Sequence, residues 1–389
     1  MAAPTGGPEW AEGGSELQVA LEVLLRGPLS RAELARRLDL SQPTLTRLTK
    51  DLVRRGLLVE SSARPGPAVG RPSQPLDVDV SSHHFVGVNL AVGSAHAVLV
   101  DLRGTVVATR SAALPGDDPA AVVAVVADLA DAVVADAPAG TAQAGGPTGI
   151  GVSLGGHSPD GTTVHLAPFL GWHDVPLGTL VRERTGLPAV VENDVAALTS
   201  AEHWFGAGRD ARTFAVVTVG AGVGYGLVVH DRLVRHPDMG LGLVGHYPLD
   251  PNGPLCPEGH RGCAAAMLTT EALEAEAAVA LRRPVTSTEL LDLARAGDPA
   301  ARRIVDDAGR ALGRLVAAVA NLTMPERVVL TGEGVDLAVV AGDAVRTAVT
   351  ADRHPQATPV DLVVEPGDFA QWARGAAVVA IQDFVLHTR

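Results

Sequence analysis

The chain has 389 residues, 47% hydrophobic and 19% charged, with 44 acids, 31 bases and two cysteines. That balance excludes a disordered chain and a disulfide scaffold, fits a reducing cytoplasm, and gives length for two or three domains. The net charge of −13, taken as an average, argues against a nucleic-acid partner. All the bases but Lys50 are Arg, a bias under which Arg alone marks no site.

Met1 to Gly14 is rich in Gly, Pro and Ala and lacks the basic-then-apolar order of a secretion signal. Leu17, Leu21, Leu24 and Leu25 then give a short amphipathic helix ending near Gly27-Pro28. Ser30 and Glu33 have capping-box spacing, each side chain accepting from the other residue's backbone N–H, and open a second helix with Leu34, Ala35 and Leu38. After Asp39-Leu40, Ser41 is the N-cap of a third helix, with Pro43 in the first turn, where its missing N–H costs nothing. Leu45, Leu48 and Leu52 face inward there, leaving Gln42, Thr44, Thr46, Arg47 and Lys50 outward. Arg54-Arg55-Gly56 closes the helix with cations at its negative end and a glycine for the left-handed cap. Leu57-Leu58-Val59 and Leu76-Asp77-Val78 read as two strands bracketing a Pro/Gly-rich wing, Ser61 to Pro75.

Two helices joined by a short turn, the second with small polar residues at its start, form a helix-turn-helix. Ser41, Gln42, Thr44, Thr46, Arg47 and Lys50, with Arg64 and Arg71 of the wing, are its candidate DNA contacts. Regional charge agrees: Arg26 to Arg71 holds ten bases and four acids, so it carries +6 and the remainder −19. The plainer reading is a three-helix module with a solvated basic face. The head is expected over residues 15–80.

The rest of the chain, 84–389, has a different texture. No stretch reaches the ~20 apolar residues of a membrane span. Thr213 to Val229 is uncharged for 17 residues but carries four glycines, which read as a tight loop between strands. Pro119 to Ala137 is broken by Asp128, Asp131 and Asp136 at the spacing of a solvated helix face. Phe85 to Leu90, Gly93, and His96 to Asp101 form a strand, turn and strand. The rhythm repeats from Phe214 as Ala215 to Val219, the turn Gly220-Ala221-Gly222-Val223-Gly224, and Leu227 to Arg232. Two such units predict an internally duplicated α/β fold with a cleft between lobes, and turns whose backbone N–H groups can approach phosphate.

Several stretches together resemble the ROK family (repressors, open reading frames and sugar kinases), in particular its regulators with an N-terminal winged helix. They are Gly70-Arg71-Pro72, Leu170-Gly171-Trp172, Val191-Glu192-Asn193-Asp194-Val195-Ala196, Ala201-Glu202-His203-Trp204-Phe205-Gly206, Gly245-His246 with Cys256 and Gly262-Cys263, and Val329-Leu330-Thr331-Gly332. The resemblance runs from about Ser15 to the C-terminal helix. It implies a winged helix-turn-helix before a two-lobed, actin-like ATPase body (duplicated and ribonuclease H-like), a sugar in the cleft, and a homodimer or homotetramer.

Kinases of that family place ATP phosphates with an Asp and paired glycines after the first strand. Here the matching residues are Asn89-Leu90-Ala91-Val92-Gly93, which supply neither the charge nor the bare backbone. The second turn keeps its glycines but has Ala221 for the family's hydroxyl residue. Asp194 matches the family's general base, here without a phosphate cradle to serve. The expectation is therefore no catalysis and no ATP requirement. Asn193, Asp194, His246 and Gly155 match the sugar-binding places. Leu243 and Ala265 replace two family Glu, and Ser153-Leu154 stands where Pro-Gly is usual. An N-cap at Asp194 accounts equally for Asn193-Asp194.

The resemblance also implies a structural zinc site, with ligands His246, Cys256, Glu258 in place of a Cys, and Cys263; His260 is a spare candidate. The alternative is a loop that has lost its metal. The leading function is a cytoplasmic, nucleoid-associated transcriptional regulator, a repressor, that binds double-stranded operator DNA and senses a small effector such as a sugar or its derivative. The runner-up is a sugar kinase with an appended DNA-binding head. A third reading is a scaffold whose head dimerises without DNA.

Overall fold

In a computed structural model, the structure describes residues 10, 11, 13–61, 74–138 and 146–386. The head comprises α1 (Gly14–Arg26), α2 (Arg31–Leu38), α3 (Gln42–Arg54), and the antiparallel strands β1 (Leu58–Glu60) and β2 (Leu76–Val78). The capping box is formed: Ser30 accepts from the Glu33 N–H, and the Ser30 N–H donates to Glu33 Oε2 at 2.9 Å. Ser41 caps α3 by accepting from Thr44 N–H, and Gly56 takes φ 78° just past the end of α3. Arg64, Arg71 and the Gly70-Arg71-Pro72 motif lie outside the described residues.

The first lobe runs β3 (His84–Ala91), β4 (Ser94–Asp101), β5 (Val106–Ala113), α4 (Pro119–Ala135), β6 (Gly149–Leu154), β7 (Val164–Ala167), β8 (Trp172–Val175), α5 (Leu177–Thr185), β9 (Ala189–Asn193) and α6 (Asp194–Phe205). The second runs β10 (Phe214–Val219), β11 (Val223–Val229), β12 (Arg232–Leu233), α7 (Ala264–Leu268), α8 (Thr270–Leu281), α9 (Ser287–Arg295), α10 (Pro299–Thr323), β13 (Arg327–Thr331), α11 (Asp336–Val340), α12 (Gly342–Ala351) and β14 (Leu362–Val364). The last helix, α13 (Phe369–Leu386), returns to the first lobe.

The two sheets have one winding. Their orders are β5-β4-β3-β6-β9 and β12-β11-β10-β13-β14. In each, the opening strand pairs antiparallel with its hairpin partner and parallel with the strand that follows a helical crossover. The duplicated α/β body expected from the repeated rhythm is present.

One expectation fails. The four glycines after Val219 do not all belong to the tight loop expected there: the turn is confined to Gly220–Gly222, and β11 starts at Val223 rather than Leu227. Gly224 and Gly226 lie within the strand because α6 packs onto it. A Cβ on Gly226 would sit 2.0 Å from Thr199 Oγ1, and one on Gly224 would sit 2.5 Å from Val195 Cγ2. Close approach of a helix, not turning, requires them.

Each lobe has its own core. A third core is continuous from the head into the body, joining Trp10, Leu24, Leu45, Leu52 and Leu76 to Phe85, Ala377 and Val385. No helix among the described residues is long and apolar enough to cross a membrane.

Candidate DNA-binding face, ligand cleft and metal centre

On α3, Leu45, Leu48 and Leu52 are buried, as their spacing requires. Ser41, Gln42, Thr46, Arg47 and Lys50 are exposed and Thr44 is half-buried, tied to Ser41 Oγ at 2.9 Å. Most other cations of the head are committed. Arg31 pairs with Glu60, Arg37 with Glu22, Arg54 with Asp51 and Arg55 with Glu16. Among the described residues Arg47 and Lys50 have no such ion pair, so α3 presents two uncommitted positive charges beside Gln42 and Thr46 on one face.

Between the lobes lies a cleft of about 600 Å³ whose wall is mostly apolar. Gly155, Asn193 and Asp194 line it, as expected. His246 does not: the 3-10 turn that carries it sends only Leu243 and Val244 to the cleft. Asn193, not Asp194, is the N-cap of α6, accepting from Ala196 N–H at 3.1 Å and donating to Gly156 O at 3.0 Å. Asp194 Oδ1 accepts from the Val195 N–H at 2.8 Å and from the Asn193 side-chain amide at 3.2 Å, while Oδ2 faces Gly155, on which a Cβ would stand 3.4 Å away. Burial pushes Asp194 up to about 6; the Val195 N–H opposes this and the charge of Glu333 adds to it.

The floor of the cleft holds groups that the sequence reading passed over: Glu333, Phe369 and Trp372. The Trp372 indole N–H donates to Glu333 Oε2 at 3.2 Å. The signal was a charged residue set between Gly332 and Gly334, one position beyond the quoted motif. At the end of β3, beside the first of the two hairpin turns, Asn89 donates its amide to Ser153 Oγ at 3.2 Å. Ala91 pairs with Ser94, so the first turn consists of the two residues Val92-Gly93.

The candidate metal ligands separate. His246 Nδ1, Cys256 Sγ and His260 Nδ1 converge, with separations of 3.2 Å between the two nitrogens and 3.8 and 3.6 Å from sulfur to each. Their donor atoms all lie within 4.8 Å of one another, so His260 joins the cluster that Glu258 was expected to complete. Among the described residues Glu258 and Cys263 fall outside that cluster, although both bear on the Cys256 thiol, whose pKa is raised first of all by burial. Bond lengths to zinc of about 2.0 Å for nitrogen and 2.3 Å for sulfur give tetrahedral edges of roughly 3.3–3.6 Å. The three donors fit a zinc ion.

Comparison with known proteins places this geometry. The ROK family model matches residues 85–383, and the MarR family model matches residues 14–66. The chain is 26% identical over 373 residues to the DNA-binding transcriptional repressor Mlc of Escherichia coli, covering 92% of this chain and 90% of that one. It is 23% identical to the xylose repressor of Bacillus spizizenii, covering 86% of each. A crystal structure of a ROK family transcriptional regulator, a homologue of Mlc, superposes with a TM-score of 0.76 at 22% identity, covering 96% of this chain and 98% of that one. With a match that runs from the start of β3 almost to the end of α13, the chain belongs to the ROK family.

Proposed function

We propose that this protein is a sequence-specific DNA-binding transcriptional repressor whose body senses a small ligand and transfers no phosphate. The observation that carries the reading is the α3 face: Gln42, Thr46, Arg47 and Lys50 point outward with both cations outside any ion pair among the described residues, while Arg31, Arg37, Arg54 and Arg55 of the head are paired. Relatives whose names are those of repressors, one of them named a xylose repressor, support a sugar or sugar derivative as the ligand. Asn193, Asp194 and Gly155 would contact it. The side chains of Ala91 and Val92 at the first turn and the commitment of Asn89 to Ser153 support the absence of phosphoryl transfer.

One recognition helix supplies few base contacts, so the working unit is a homodimer or homotetramer acting on cytoplasmic, nucleoid DNA. Ligand in the cleft would favour one arrangement of the lobes and so change the spacing of paired heads. The physical link is α13: Trp372 near its start lines the cleft, and Phe384 near its end packs on Trp10 and His83 beside the head.

Mobility shifts with the DNA upstream of the protein's own gene test this reading. Arg47→Ala should weaken operator binding by about 1–3 kcal/mol, roughly 5- to 150-fold, if it reads a base. Lys50→Ala should weaken binding evenly across sequences and lower the salt slope by about 1. Absence of binding by the parent at low salt ends the repressor reading.

His246, Cys256 and His260, with Cys263 or Glu258 completing the set, would hold a structural zinc ion that pins the 246–263 loop beside the cleft. Protein purified without chelator or His-tag should carry about one zinc per chain, and Cys256→Ala should carry almost none. A parent with only a small fraction of one zinc would sink the assignment.

A further inference from the structure

The glycine spacing of the turn Gly220–Gly222 predicts that its backbone N–H groups approach phosphate, yet an anion from the chain itself already sits on it. The segment after β13 is laid backbone to backbone over the end of β10. Gly334 N–H donates to Val219 O at 2.9 Å, and a Cβ on Gly332 would stand 2.5 Å from that same oxygen. This contact leaves the Glu333 side chain nowhere but across Gly220. Its Oε1 accepts the Ala221 N–H at 2.6 Å, a short, charge-assisted bond. Its Oε2 accepts the Trp372 indole N–H at 3.2 Å. A Cβ on Gly220 would lie 2.0 Å from Oε1, so the glycine is needed to admit the carboxylate.

The rest of the cleft repeats the message. Among the described residues its lining carries the carboxylates of Asp194, Asp238 and Glu333 and the imidazole of His236, with no Arg or Lys. Leu90, Val92, Phe169, Val195, Met239 and Phe369 supply apolar wall.

We propose that Glu333 is a resident anion filling the phosphate turn, so that the cleft excludes nucleotides and sugar phosphates and admits uncharged, unphosphorylated ligands. The consequence for the ligand rests on reading the cleft as the sensor site; the occupancy of the turn does not. An incoming phosphate would have to displace a carboxylate held by two N–H donors, and would then meet Asp194 with no Arg or Lys among the described lining residues to neutralise it. Removing the carboxylate should expose the Ala221 N–H to solvent anions beside a bare glycine.

The test is calorimetric titration of the full-length parent, Glu333→Ala and Glu333→Gln with inorganic pyrophosphate at low ionic strength, with Trp fluorescence as a second readout. The parent should show no saturable binding. Glu333→Ala should bind at least about tenfold more tightly than any residual affinity of the parent, which corresponds to about 1.4 kcal/mol. Glu333→Gln, which keeps the volume and one acceptor while losing the charge, should gain about threefold and covers the case in which the Ala variant folds poorly. Two results would overturn the proposal: a parent that binds pyrophosphate as well as the variants, or a cooperatively folded Gln or Ala variant that gains nothing. Operator shifts on the same parent preparation keep the readings apart, since failure to bind DNA ends the repressor reading and leaves the pyrophosphate result standing.

Discussion

A Gly151→Ala protein should be less stable than its parent by about 3 kcal/mol or more, at the upper end of what one added methyl costs in a packed core. The methyl would meet not a movable side chain but the backbone of α13: the carbonyl oxygen of Ala376 would lie 1.9 Å from the new Cβ, and its carbon 2.6 Å. The same happens one strand over, where a Cβ on Gly87 would stand 2.0 Å from Ala373 O and 2.5 Å from Ala377 N. Gly87 and Gly151 are paired neighbours on β3 and β6. Together they form a smooth groove into which Ala373, Ala376, Ala377 and Ala380 of α13 settle without side chains intervening. The helix has the matching need on its other side, where a Cβ on Gly375 would reach Leu198 N of α6 at 2.8 Å. Relief would require α13 to lift off the sheet along its buried length. Urea titration measures the loss. Gly222→Ala is the control, because a Cβ there meets nothing within 4 Å and the φ is not in the left-handed region; it should change stability by no more than about 0.5–1 kcal/mol. If Gly151→Ala costs no more than Gly222→Ala, the close packing of α13 is wrong.

This contact also shows where the sequence is legible and where it is not. The head could be read almost to the residue because its signals are local. Ser30 and Glu33, Ser41 and Pro43, and the Leu45, Leu48, Leu52 stripe each settle their geometry within four or five positions. The strands Phe85 to Leu90 and Ala215 to Val219 were equally plain as apolar runs. The glycines were not. Gly224 and Gly226 look like turn residues beside Gly220 and Gly222, and what makes them strand residues is α6, which the chain forms some twenty residues earlier. Glu333 reads as an ordinary surface acid until the fold lays its turn over a backbone N–H 112 positions away. His246 carried two expectations, ligand contact and metal, and only packing separates them: the turn that holds it directs the imidazole towards Cys256 and His260. Local chemistry specifies elements, and contacts distant in the chain decide what residues at their ends are for.

The joint between head and body gives the second large effect, and it centres on Trp10. The sequence around it is Gly/Pro/Ala-rich and reads as a tail, yet the indole is 1% exposed. It packs on Phe384 with ring centroids 6.3 Å apart, and Phe384 packs on His83 at 4.6 Å and Phe85 at 5.6 Å. A second bond holds the other side of the head: Arg103, in the turn after β4, donates to the carbonyls of Val23 and Leu24 at 2.8 and 2.9 Å, placing a cation at the negative end of α1. Domains joined through small polar contacts are expected to move freely, whereas an apolar joint continuous with both cores is not. Trp10→Ala should therefore cost about 3–5 kcal/mol, the usual range for emptying a buried aromatic site. The loss should fall on the joint, because the cores of the two lobes do not include Trp10. Differential scanning calorimetry should then resolve two transitions where the parent has one, the head melting first. Operator affinity should fall too, although every residue of the α3 face is intact, because in the proposed homodimer two loosely held heads no longer present a fixed spacing to two half-sites. A Trp10→Ala protein that melts in one transition close to the parent and binds operator equally well would show that the head is tethered rather than welded. In that case α13 could not carry a change at Trp372 to the DNA-binding face, and ligand would have to act on the pairing of bodies instead.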